Sequence, residues 1–162
     1  MTKVWTVTRD KFLSLEEVRR LLSTLQDAKD LSLQRRKNYH LVRDYFILRT
    51  LLETGLRCFE LTNLRLSDFV GKSLIVRRGK GGKARTVLLT PDTQKMLKDF
   101  FRLKRQLKES LEPETHLFVS ERKKPYTTNG IRKRVKCWFT RLGFNPKLSV
   151  HSCRHSYVSA LF

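Results

Sequence analysis

The sequence predicts an α+β domain that is mostly helical and carries one small antiparallel β-hairpin or three-stranded sheet. Three observations support this. Apolar residues return at helical intervals through most of the chain. Two β-prone runs, Leu74-Ile-Val-Arg77 and Thr86-Val-Leu-Leu89, flank the turn Gly79-Lys-Gly-Gly82. A chain of 162 residues can bury one core but is short for two ordinary domains, so residues 1–162 are expected to form one unit.

Ser14-Leu-Glu-Glu17 has capping-box spacing, and Leu15, Val18, Leu21, Leu22 and Leu25 follow on one face, which predicts a first helix. Residues 39–54 carry Leu41, Val42, Tyr45, Phe46, Leu48, Leu51 and Leu52 and predict a more buried second helix stopped by Gly55. A short helix from Arg57 to Leu64 precedes the hairpin. Pro91 suits the first turn of a further helix, with Met96, Leu97, Phe100, Phe101, Leu103 and Leu107 inward. His116-Leu-Phe-Val119 reads as extended. Thr127 or Thr128 can cap a helix ending at Gly143, and Ser149 can cap a last one running to Phe162.

Charge points to the partner. Lys and Arg number 35 against 15 Asp and Glu, a formal +20, and this self-repulsion is relieved by a polyanion. The basic residues lie around glycine turns and mixed helices rather than along one amphipathic helix, which favours nucleic acid over a membrane surface. No apolar run approaches the length that crosses a bilayer, and the N-terminus lacks the order of a signal peptide, so a cytoplasmic location is expected. Cys58, Cys137 and Cys153 are widely spaced with no metal-ligand pattern, and predict reduced, mostly buried thiols and no metal.

Three motifs carry chemistry. In Thr54-Gly-Leu-Arg-Cys-Phe-Glu-Leu61 an arginine follows a helix-ending glycine, with Glu60 one turn on to brace it. A guanidinium at Arg57 can fork two hydrogen bonds to a phosphate, which lysine cannot reproduce; an ordinary helix-start arginine paired with Glu60 fits these eight residues equally well. The segment Arg77 to Arg85 holds five basic residues and no acidic one, and reads either as a phosphate-contacting turn or as a solvated hairpin. His151-Ser-Cys-Arg-His155 puts His151 and Arg154 on one helical face, where both can reach one anion. The stretch Arg122 to Arg141 adds eight basic residues and no acidic one, interleaved with Tyr126, Trp138 and Phe139, which suits a helix with aromatics inward and charges along phosphates; a solvated charge-rich helix is the alternative.

Taken in order, the arginine box, the glycine hairpin with its lysine and the H-x-x-R box resemble the catalytic domain of the tyrosine recombinase (phage integrase) family, with Cys153 where the family usually has leucine. The resemblance implies the catalytic core of DNA breaking-rejoining enzymes, which need no cofactor. It implies Arg57 and Arg154 as a phosphate clamp, Lys80 as general acid to the departing 5′ oxygen, His151 as a proton-handling group, and Glu60 behind Arg57. Arg77, Arg78, Lys83 and Arg85 in the hairpin are the expected DNA contacts, with Lys123, Lys124, Arg132, Lys133 and Lys136 beyond it and Tyr126, Thr127 and Thr128 at a helix start. Duplex DNA is the expected partner, with a tetrameric assembly in full-length form. Eight residues follow Arg154, whereas the family's nucleophilic tyrosine lies well downstream, so the resemblance implies a domain truncated before its nucleophile and lacking the N-terminal core-binding domain. A non-catalytic DNA-binding module that keeps the clamp is the alternative.

Overall fold

The computed structural model describes residues 11–77 and 80–160. Six α-helices and three short strands follow in the order α1 (Leu15–Arg35), α2 (His40–Thr54), α3 (Cys58–Asn63), β1 (Phe69–Val70), β2 (Ser73–Val76), β3 (Arg85–Leu88), α4 (Pro91–Gln106), α5 (Thr128–Arg141) and α6 (Val150–Ala160). The expected fold class is the observed one. The sheet is antiparallel in the order β1-β2-β3, with Leu74 opposite both Phe69 and Val87.

Local chemistry sets the boundaries. Ser14 Oγ accepts the Glu17 N–H and Glu17 Oε1 accepts the Ser14 N–H, the reciprocal pair that the spacing predicts. α1 then runs nearly three turns past its last expected apolar position, to a left-handed Arg36. Gly55, at φ +67°, closes α2 by donating its N–H to the Leu51 carbonyl. Thr90 caps α4 with Pro91 at its first position, and Thr127 caps α5 through the Gly130 N–H. At α6, the Ser149 N–H donates to Ser152 Oγ. The proposed end of this helix at Phe162 lies outside the described residues. The strand β1 completes the three-stranded alternative of the expectation; its own position was not marked in the sequence, since two residues are too few to register as a β-prone run.

The core forms around α2, which packs against α1, α4, α5 and α6 and buries eleven of its fifteen residues. Phe46 of α2 stacks on Phe100 of α4 at 4.6 Å between ring centroids, and Phe100 stacks on Phe118 at 5.2 Å. Two polar networks sit within this apolar mass. Asp44 is fully buried and accepts from Arg134 and from Trp138 Nε1 (2.8 Å), which sets the rotation of α5 against α2. The fully buried Lys104 donates to Glu109 Oε1 (2.7 Å) and to the Leu117 carbonyl, and Arg43 joins the same carboxylate at 3.1 Å. Burial pushes the Lys104 ammonium below its ordinary value despite that partner. Among the described residues, no helix is long and apolar enough to cross a membrane.

Candidate phosphate-binding site

The starts of α3, α5 and α6 meet at one cleft of about 340 Å³, lined by Arg57, Cys58, Phe59, Thr128, Arg132, His151 and Arg154. Each arrives by a separate local device. Gly55 turns the chain out of α2, and Arg57 occupies the extended cap position of α3, where its N–H is accepted by Glu60 Oε1 at 2.8 Å. The guanidinium, freed from that capping role, is more than one-third exposed. Arg154 reaches across from α6 and donates Nη1 to the Gly55 carbonyl at 3.0 Å, anchoring the last helix to the end of α2. His151 is exposed one turn before it.

Glu60 lies behind the two arginines and is itself buried, at 3% exposure. Its carboxylate is 3.8 Å from Arg57 Nη1 and 3.7 Å from Arg154 Nη1. The forked hydrogen bonds go instead to Arg85, with Nη2 donating to Oε1 at 2.8 Å and Nη1 to Oε2. Burial alone would push the Glu60 carboxyl up, but the Arg85 hydrogen bond, the Arg57 N–H and the two guanidinium charges outweigh it and hold the group below its ordinary value. Arg154 is pushed down by partial burial and by the facing Arg57, with Glu60 opposing. Two like charges held this close, each with donors to spare, are suited to a doubly coordinated oxyanion.

The other expected contacts divide. Lys83, Lys123, Lys124, Arg132 and Lys133 are exposed, and Arg132 and Thr128 line the cleft. Lys80 opens the Lys80–Gly82 turn, where Gly81 and Gly82 both hold positive φ; its side chain, like all of Arg78, lies outside the described residues. Four residues expected on DNA have intramolecular partners. Arg85 pairs with Glu60. Arg77 Nε donates to Asp68 Oδ1 at 2.5 Å, because β2 runs past the 3₁₀ turn Leu66–Asp68. Lys136 donates to the carbonyls of Pro146 and Leu148 (3.0 Å for the latter), closing the loop between α5 and α6. The Thr127 hydroxyl caps α5. Tyr126 packs against the core, where burial and the Asp44 charge push its phenol up to about 12. Phe59, half exposed in the cleft, was not anticipated, since its spacing from Leu61 and Leu64 reads only as a position off the buried face.

The profile of the phage integrase family matches residues 11–162. The chain belongs to the phage integrase family. The tyrosine recombinase XerC of Lactobacillus leichmannii is 28% identical over 153 residues, which cover 93% of this chain and 49% of that protein. The crystal structure of XerA recombinase superposes with a TM-score of 0.74 at 28% identity, covering 93% of this chain and 50% of that one. XerH recombinase bound to its difH substrate shares the fold, with a TM-score of 0.73 at 22% identity over 97% of this chain and 44% of that one. The chain thus spans about half the length of the curated relatives it matches. The helices and three-stranded sheet are those of a tyrosine recombinase catalytic domain.

Proposed function

We propose that this chain is the phosphate-gripping part of a site-specific DNA recombinase. The observation that carries the reading is the convergence of Arg57, His151 and Arg154 on one cleft, from segments nearly a hundred positions apart. Arg57 and Arg154 donate to the non-bridging oxygens of a phosphodiester and stabilise the charge that builds up in a pentavalent transition state. A tyrosyl oxygen, supplied from outside these 162 residues, attacks phosphorus and leaves a 3′-phosphotyrosyl bond. The departing 5′ oxygen takes a proton from Lys80, and His151 receives the proton of the attacking phenol. Rejoining reverses the steps, so strands are exchanged without net hydrolysis. The excess of basic residues holds the flanking duplex.

The test uses the chain alone and the chain extended beyond Phe162 with a tyrosine-bearing segment. Both should bind duplex with affinity that falls steeply as salt rises. The extended chain alone should give a covalent adduct on denaturing electrophoresis with a nicked duplex. Arg57→Lys and Arg154→Lys should each abolish most of that adduct while binding stays nearly unchanged. Flat affinity across salt would reject DNA as partner. Binding without an adduct from any extended form would leave a non-catalytic DNA module.

A further inference from the structure

Among the described residues, the Glu60 carboxylate has three guanidinia within 4 Å, and it treats them unequally. Arg85 holds both oxygens in a fork, whereas the terminal nitrogens of Arg57 and Arg154 stand off beyond hydrogen-bond distance. A buried carboxylate without Arg85 would still need donors, because leaving its lone pairs unsatisfied is costly. Arg57 and Arg154 are the nearest, and each is within an ångström of hydrogen-bond contact. They would close onto Glu60, and the N–H groups spent there would no longer be free for a phosphate.

We propose that Arg85 is a positioning residue rather than a DNA contact: it saturates Glu60, so that Arg57 and Arg154 remain open to a phosphate, and it fastens β3 to the clamp. The inference rests on the phosphate-clamp reading above. β3 is the strand that leaves the Lys80 turn, so the same ion pair fixes the root of that turn against the arginines. A simple local charge effect would make Arg85 and Glu60 act independently on anion affinity. Saturation makes them act through one another, and that difference is measurable.

The experiment titrates inorganic phosphate, at constant ionic strength, into the isotope-labelled 162-residue chain. It follows the Nε–Hε resonances of Arg57 and Arg154, assigned by their lysine variants. The unsubstituted chain should show saturable shifts at both, and Arg85→Ala should bind phosphate more weakly. Glu60→Gln should then raise affinity about fivefold or more in the Arg85→Ala background but less than about twofold on its own. Equal gains in both backgrounds would overturn the proposal. Thermal unfolding checks that each variant is folded; if Arg85→Ala is not, Arg85→Lys, which keeps the charge and loses the fork, takes its place in the same cycle. A second measurement is the salt dependence of duplex binding. Arg85→Ala should leave the log-log slope unchanged, and a slope reduced by about 0.9 would make Arg85 a backbone-phosphate contact and refute the assignment. No phosphate response at Arg57 or Arg154 in the unsubstituted chain would instead bring down the clamp itself, a failure distinct from additivity of Arg85 and Glu60.

Discussion

Replacing Asp44 by leucine, which is similar in volume and apolar, removes the acceptor that locks α5 to α2. The magnitude follows from its partners. Trp138 is 1% exposed and its indole N–H donates to Asp44 Oδ2, so the substitution leaves a buried donor unsatisfied, at about 1–3 kcal/mol. Arg134 loses a forked carboxylate, but its side chain is 30% exposed and can turn to water, so its share falls well short of the roughly 3–5 kcal/mol for breaking a fully buried pair. Together they give a loss of about 3 kcal/mol, or a fall in Tm of about 6–12 °C for a domain of this size. Differential scanning calorimetry or chemical unfolding measures it. Trp138→Phe provides the internal control: in that background the Asp44→Leu cost should shrink by about 1–2 kcal/mol, since the orphaned donor is gone. A loss below about 1 kcal/mol, or full additivity of the two substitutions, would refute the view that this network is a stabilising lock.

Three further outcomes follow from burial and charge. A thiol reagent added to the native chain should modify Cys137 quickly, and Cys58 and Cys153 only on unfolding, because both are buried and burial raises both thiols, Cys153 to about 12; mass mapping of the modified residues checks this. Alkaline titration of phenol absorbance should show a component near pH 12 that Tyr126→Phe removes. For acid, the folded Glu60 carboxyl lies below its ordinary value of 4.5, so its contribution to stability is complete above that value and is lost as pH falls through and below it. The stability advantage of the unsubstituted chain over Glu60→Gln should therefore shrink as pH falls through and below 4.5 in unfolding curves, and a constant difference would contradict the depressed value.

Most of the helical framework was legible because caps and periodicity act locally. Ser14, Gly55, Pro91, Thr127 and Gly143 each mark a boundary through groups only a few positions away. Arg57, Arg154 and His151 were legible as candidates because the residue types and their order carry the resemblance, and Arg132 because it lies in the basic stretch Arg122 to Arg141; the fold brings all four to one cleft. What the sequence left open is which charge pairs with which. Arg85 and Lys83 are two positions apart in one basic turn, yet one faces Glu60 and the other solvent, because strand pairing turns Arg85 toward α3. Lys136 and Lys133 share a helix, and only the first lies over the loop carbonyls. Asp44 and Arg134 gave no local signal, since their pairing spans 90 positions and depends on how α2 and α5 cross.

The hydrogen bond from Arg154 to the Gly55 carbonyl has a consequence for how the chain acquires its grip during synthesis. It spans 99 positions, and the Leu13 N–H reaches Ser156 Oγ across 143. Both contacts wait for α6, whereas nearly all the positive charge precedes it. A chain leaving the ribosome N-terminus first can therefore adhere to any polyanion early, through charge alone, while the two-armed phosphate hold proposed above can form only when α6 docks onto α2. General stickiness and the proposed grip are separated in time by the placement of one arginine.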